Sequence, residues 1–241
     1  MWFSSVSRRL GGGVLVSVKA IVLFGSPGSG KGTQAKILTR CLRVPHISTG
    51  DMLREHIRQG DRVGSAVAAR MQSGALVSDE VVEALVEERL AMPDAAGGFV
   101  LDGYPRTLAQ ADHLGRLLDG RGIREMVIYL AVDYNIVIAR LTGRRQCPRC
   151  GTLYNIVSKP PREDMRCDLD GEKLVIRDDD REPVIRERLE AYERQTRPVL
   201  EHLRLAGRRV VEVDASNDPP DMVSRKICQA LECDDRSEDC R

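Results

Sequence analysis

The 241-residue sequence predicts an α/β fold, a central parallel sheet flanked by helices, and three observations carry that expectation. Short apolar runs alternate with amphipathic stretches, the pattern of strands joined by crossover helices. A glycine-rich loop holding one lysine lies directly between the first apolar run and a helical stretch. Residues 143–180 interrupt the alternation with three cysteines and no long apolar run, and read as a small subdomain set into the larger one.

Along the chain, residues 1–18 carry four serines, two arginines and a triple glycine ahead of any convincing strand. Serine and arginine without acid suit an organellar presequence, although residues 11–13 would spoil its amphipathic helix. The plainer alternative is a dispensable extension or a start codon placed too early, with the compact domain occupying 19–231. Strands are expected at Ala20–Phe24, 99–101, 126–130 and 210–213. Ser78 is a candidate N-cap, with Asp79 and Glu80 in the first turn and Val81, Val82, Leu85, Val86 and Leu90 as an apolar stripe. A helix after Pro105 would bury Leu108, Ala111, Leu114 and Leu118 and stop at Gly120. Another begins near Pro183, and Pro198 should kink or break it. Residues 232–241 read as a disordered acidic tail, with Cys233 and Cys240 as bystanders.

Composition narrows the function. With 42% hydrophobic residues, 30% charged residues and a net charge of +1, the chain is neither a solvated tail nor a coat for a polyanion. Aromatics at 4% argue against stacking platforms for single-stranded nucleic acid. No apolar run approaches the roughly 20 residues of a membrane span. Charge is uneven: no acid precedes Asp51, and the first 50 residues hold seven positive charges. With 31 arginines present, no single arginine marks a site, so position must decide. Seven cysteines, three of them clustered, fit a metal in a reducing compartment better than a disulfide framework.

Gly25-Ser-Pro-Gly-Ser-Gly-Lys31-Gly-Thr33 follows a strand and opens a helix. Its glycines let the backbone wrap a phosphate, its amides and the helix N-terminus face the anion, and Lys31 reaches the terminal phosphates. A nucleoside triphosphate with magnesium is therefore expected. Gly32 stands where a Ser or Thr more often follows the lysine. In the cysteine-rich segment Cys147-Pro-Arg-Cys150, then sixteen residues, then Cys167-Asp-Leu-Asp170 has the spacing of a closed tetrahedral zinc site with a carboxylate in the fourth place. A closed site is structural, replacing a core that so short a segment cannot build.

The loop, together with Ser48-Thr-Gly-Asp-Met-Leu-Arg54 and Leu101-Asp-Gly-Tyr-Pro-Arg106, resembles the adenylate kinase family, and the resemblance runs over nearly the whole chain. It implies a P-loop nucleoside-monophosphate kinase fold with two mobile pieces, an NMP-binding flap at 48–77 and a zinc-bearing lid at 143–180. The reaction implied is reversible, magnesium-dependent transfer from ATP to AMP giving two ADP, a phosphotransferase step with a phosphate as acceptor. The catalytic set implied is Lys31, Arg106, Arg140, Arg144, Arg177 and Arg188. ATP would be held by Gly28, Ser29, Gly30, Lys31, Gly32, Thr33, Arg144, Leu153, Tyr154 and Asn217, the last in a loop that departs from the usual Asp-Gly-Thr. AMP would be held by Thr49, Arg54, Ala75, Leu76, Val77, Gly103, Tyr104, Pro105, Arg106, Gln110, Arg177 and Arg188, with Gln110 reading the adenine edge. Asp102 would hold magnesium through water, Asp179 and Asp180 would position the lid, and the family's Asp-for-Cys variation favours Asp170 over Asp168 as the fourth ligand beside Cys147, Cys150 and Cys167. His46 and His113 are expected to be structural or exposed. Expected partners are ATP, AMP and ADP, without nucleic acid or membrane, in a cytoplasmic monomer, or in a mitochondrial or plastid matrix if residues 1–18 are a presequence. A UMP/CMP-type kinase and a zinc-ribbon nucleic-acid-binding module on a P-loop fold are the alternatives.

Overall fold

In the computed structural model residues 20–231 are described, so the readings of 1–18 and of 232–241, with Cys233 and Cys240, lie outside the described residues. β1 (Ala20–Phe24) is buried at all five positions, as a strand covered on both faces must be. The glycine-rich loop leads into α1 (Lys31–Leu42). β2 (His46–Ser48) runs straight into α2 (Thr49–Gln59), where the Ser48 hydroxyl accepts the Asp51 backbone N–H at 3.3 Å. α3 (Arg62–Ser73), α4 (Asp79–Leu90), β3 (Phe99–Asp102), α5 (Leu108–Gly120) and β4 (Glu125–Ala131) follow. α6 (Tyr134–Thr142) precedes an antiparallel pair, β5 (Arg144–Gln146) and β6 (Leu153–Asn155). α7 (Glu182–Ala191), α8 (Arg197–Leu205), β7 (Arg209–Asp214) and α9 (Pro220–Ala230) complete the order. No helix among the described residues is long and apolar enough to cross a membrane.

The sheet is parallel throughout, in the order β2-β3-β1-β4-β7. The four expected strands lie within a residue of their expected bounds, while β2, with three residues, is too short to show alternation. Successive side chains divide between the two faces. Ala20, Val22 and Phe24 pack with Phe99, Leu101 and residues of α4, α5 and α8. Ile21, Leu23, Met126 and Ile128 pack instead against Ala35 and Leu38 of α1 and Val223 and Ile227 of α9. The register sets Asp102 level with both Leu23 and Ser48, and Ala131 level with Asp214. All strand carboxyl ends therefore reach one edge, where an open parallel sheet leaves its crevice.

Several local expectations are corrected. Ser78 does occupy the N-cap of α4 but its side chain makes no capping hydrogen bond. Leu108 is 47% exposed, because the first residue of α5 projects before the buried stripe of Ala111, Leu114 and Leu118 begins. The stop at Gly120 is met, since Gly120 is the last residue of α5, and the positive φ after it belongs to Gly122. The break at Pro198 falls earlier than the proline: Tyr192–Thr196 forms a π turn that links α7 to α8, and Pro198 sits in the first turn of α8, where its missing N–H is tolerated. Cys41 is disulfide-bonded, where the sequence favoured a reducing compartment and a metal over a disulfide framework, and Cys147, Cys150 and Cys167 are free thiols.

Ile128, at the centre of β4 and fully buried, tests this packing. Ile128→Ala should destabilise by about 2–5 kcal/mol in denaturant titration. Val157→Ala, at a position 81% exposed, should stay within about 0.5 kcal/mol of the parent.

Candidate active site

The loop after β1 is shaped by glycine. A Cβ on Gly25, whose φ is 147°, would sit 2.8 Å from the Leu130 carbonyl oxygen, so only glycine lets the chain turn this close to β4. Lys31 folds back over the loop, donating from Nζ to the carbonyls of Gly25 at 2.7 Å and Ser26 at 2.8 Å, with Ser29 Oγ at 3.5 Å. Its ammonium is pushed down to about 7, first by burial, with Arg106, Arg188 and Arg144 acting in the same direction and Asp102 opposing them.

Asp102, at the end of β3, has Oδ2 3.5 Å from where a Cβ on Gly32 would stand, so its carboxylate lies beside the first turn of α1. His46 Nε2 is 3.4 Å from the same oxygen. Next in the chain, Gly103 has φ 81°, and a Cβ there would meet Thr49 Oγ1 at 3.0 Å. The Gly103 carbonyl accepts from Thr49 Oγ1 at 2.9 Å and from Arg106 Nε at 2.7 Å, tying the start of α2 to the end of β3. The Tyr104–Pro105 peptide is cis. Tyr104 is buried, and its hydroxyl meets His113 Nδ1 at 2.8 Å while His113 Nε2 meets Glu87 at 2.7 Å, so His113 is structural.

Arginines from five separate segments converge on the same crevice. Arg188 of α7 reaches Asp179 at 3.1 Å and Asp180 at 3.0 Å. Arg144 of β5 donates from Nε to Asp180 at 2.6 Å, and its second nitrogen grips the other carboxylate oxygen. Arg54 of α2 stands 3.7 Å from Asp179, and Arg177 donates to Gln146 Oε1 at 2.6 Å. Burial opposes ionisation of Asp179, yet Arg188 and Arg54 hold its carboxyl below the usual range. Burial and the neighbouring guanidiniums lower Arg106 to about 10 and Arg177 to about 10, an unusual excess of positive charge for so few acids. Asp180 is fully buried, which the sequence did not reveal.

Two expected residues lie apart from this cluster. Arg140 donates to the carbonyls of Ala215 at 2.8 Å and Ser216 at 3.0 Å, beside the exposed Asn217. Tyr154 is buried in the small core of the inserted segment, its hydroxyl 3.5 Å from Cys167 Sγ and accepting the Asp168 N–H at 2.8 Å; Leu153, next along β6, is half-buried. Val77 is buried, and Ala75 and Leu76 are half-buried, with the Leu76 carbonyl accepting from Arg70 at 3.2 Å. Gln110 is buried with both ends of its amide engaged, Nε2 donating to Asp79 at 2.7 Å and Oε1 accepting the Arg106 N–H at 2.8 Å. Asp79 was legible only as an acid in a first helical turn; its link to Gln110 spans 31 residues and left no local signal.

In the inserted segment the ligand atoms of Cys147, Cys150, Cys167 and Asp170 lie within 4.8 Å of one another. Cys150 and Cys167 sulfurs are 3.5 Å apart and Cys147 Sγ is 3.4 Å from Asp170, distances compatible with one tetrahedral ion between them. The buried apolar cluster there is Cys147, Tyr154, Cys167 and Leu174, so small that a bound ion would take the place of a core.

A phosphate loop at the carboxyl edge of a parallel sheet, facing arginines from five segments, defines a P-loop phosphotransferase. The profile of the family described as Adenylate kinase matches residues 23–208. A protein of Pseudothermotoga lettingae called adenylate kinase is 48% identical over 200 residues, covering 82% of this chain and 91% of that protein. One from Anaeromyxobacter dehalogenans is 44% identical over 83% of this chain and 93% of its own, and one from Syntrophotalea carbinolica 45% identical over 88% and 98%. The chain belongs to the adenylate kinase family.

Lys31 gives a pH signature. Below about pH 7 it is charged folded or unfolded, and its burial weakens the empty protein in full; between about 7 and 10.5 the folded chain loses the proton first, so the empty protein gains stability as pH rises through that window. Polyphosphate beside Lys31 restores its charge. ATP binding at pH 8 should therefore take up protons, seen calorimetrically in two buffers of different ionisation enthalpy, and Lys31→Met should abolish that uptake.

Proposed function

We propose that the chain transfers the terminal phosphoryl group of ATP to AMP, reversibly, giving two ADP. The observation that carries this reading is the convergence of Lys31, Arg106, Arg144, Arg177 and Arg188 on one crevice, with Arg54 at its margin. Two polyanions must be brought together there, and planar guanidiniums neutralise and align phosphate oxygens bidentately. The AMP phosphate oxygen attacks the terminal phosphorus in line; that P–O bond forms as the bond to the β-phosphate oxygen breaks, and ADP leaves as an anion. The nucleophile is already ionised, so no general base is needed, in keeping with His46 and His113 as structural groups.

On this reading Gly28, Ser29, Gly30, Gly32 and Thr33 cradle the ATP phosphates, with Leu153, Tyr154, Arg140 and Asn217 toward the base. Thr49, Arg54, Gly103, Tyr104, Pro105, Gln110 and the 75–77 segment take AMP. Magnesium, when bound with ATP, neutralises the β- and γ-phosphates, and Asp102 suits it as an oxygen-bearing partner through water, since its carboxylate sits beside the loop. Residues 48–77 would serve as the NMP-binding flap and 143–180 as the lid, within a core domain of 19–231. Cys147, Cys150, Cys167 and Asp170 would hold one structural zinc in that lid. A monomer acting in the cytoplasm accords with the reading.

An acceptor panel tests the function. With ATP as donor, AMP should exceed UMP and CMP in kcat/KM by at least tenfold, and Lys31→Met should remove nearly all transfer while circular dichroism stays unchanged. Preference for UMP or CMP would overturn the adenylate assignment. Metal analysis of protein purified from zinc-supplemented culture should give one zinc per chain, and Cys150→Ser should lower both that ratio and the melting temperature; a ratio near zero would exclude the zinc.

A further inference from the structure

We propose that Asp79 is a positioning residue that sets purine specificity by fixing which way the Gln110 amide faces. The inference rests on the reading of Gln110 as the group at the acceptor base. Gln110 is 2% exposed, and its Nε2 donates to Asp79 Oδ1 at 2.7 Å while its Oε1 accepts the Arg106 backbone N–H at 2.8 Å. The other carboxylate oxygen of Asp79 accepts from Thr107 Oγ1 at 2.9 Å, and that hydroxyl in turn accepts the Gln110 backbone N–H at 3.2 Å. Asp79 is thus held by two donors from the start of α5 and cannot swing away without stranding both.

The chemistry of the two partners decides the orientation. A carboxylate only accepts and a backbone N–H only donates, so the NH2 of Gln110 must face Asp79 and its carbonyl must face Arg106. One N–H and one carbonyl lone pair remain for a ligand, side by side in a fixed order. A 6-aminopurine offers a donor at its amino group beside a ring-nitrogen acceptor and matches that order. A 6-oxopurine offers the reverse, an acceptor at O6 beside a ring N–H. To serve it the amide must turn over, placing its carbonyl against the Asp79 carboxylate and its NH2 against the Arg106 N–H. A site whose buried polar groups are left mispaired rejects a ligand by large factors.

The test compares kcat/KM for AMP and IMP, which differ at this edge alone, in the parent enzyme, Asp79→Asn and Gln110→Leu, each checked for its melting temperature. The asparagine can donate or accept, so a turned Gln110 is left mispaired at the Arg106 N–H alone instead of at both of its partners. The AMP-to-IMP ratio should fall at least tenfold in Asp79→Asn, with kcat/KM for IMP rising and KM for ATP unchanged. A merely structural role would lower both acceptors by one factor and leave the ratio intact. If Gln110→Leu loses the preference and Asp79→Asn keeps it, the role given to Asp79 is overturned while the reading of Gln110 stands. If both variants keep it, Gln110 does not face the acceptor base and the proposal falls with that reading. Should Asp79→Asn fail to fold, Asp79→Ala carries the same expectation, because it removes the acceptor that pins the amide.

Discussion

Like charges crowd at the carboxyl edge of the sheet, and their repulsion is the constraint that organises the molecule. Burial lowers the proton affinity of Lys31, Arg106, Arg177 and Arg188, and neighbouring guanidiniums lower it further, whereas Asp180 and Asp179 raise that of Arg144. Such a group holds together only if each member is anchored from behind. Lys31 is anchored by carbonyls of its own loop, Arg106 by the Gly103 carbonyl, and Arg144 and Arg188 by Asp180. Strand ends supply the first two anchors, since the parallel register sets the loop, Asp102 and Thr49 along one line. The frame is stiff so that the charges need not be.

This division accounts for the carboxylates as well. Asp179 and Asp180 belong to a short 3-10 turn between the inserted segment and α7, and they engage arginines from α2, β5 and α7 together. They stand in for anionic oxygens, and the crevice is electrostatically tolerable when empty. The loop carbonyls that satisfy the Lys31 ammonium play the same part at the other end of the crevice. Occupancy by phosphate then amounts to an exchange of internal partners for external ones, which limits how far the protein must relax between states.

Much of this was legible in the sequence, and the boundary of legibility is physical. β1, β3 and β4 showed because strands covered on both faces read as apolar runs, and the edge strand β7 showed through its Val210-Val211 pair, whereas β2 has three residues and a single fully buried side chain. The glycine-rich loop and the cysteine spacing showed because their chemistry is local, each confined to a few consecutive residues. Contacts made across long separations left no such trace. Asp79 read as an ordinary first-turn acid, and neither the reach of Arg140 to the Ala215 carbonyl nor the packing of Tyr154 beside Cys167 showed in the neighbouring residues. The π turn at Tyr192–Thr196 was equally silent, the proline after it being a stronger local signal than the extra residue before it.

That π turn acts as a phase shifter. Each residue advances an α-helix by about 100°, so the wide turn resets the angle at which α8 leaves α7. It lets Ile185 and Leu189 face α6 while Val199, Leu200 and Leu203 face the sheet, and it delivers the Thr196 hydroxyl to the Arg106 carbonyl at 3.0 Å. Loss of one residue between 192 and 196 would restore an uninterrupted helix and rotate one of those faces into solvent. Chain length in this stretch therefore acts beside side-chain identity: Tyr192 and Thr196 are buried there, and the number of residues between α7 and α8 decides whether the Thr196 hydroxyl meets the backbone of Arg106 at the crevice.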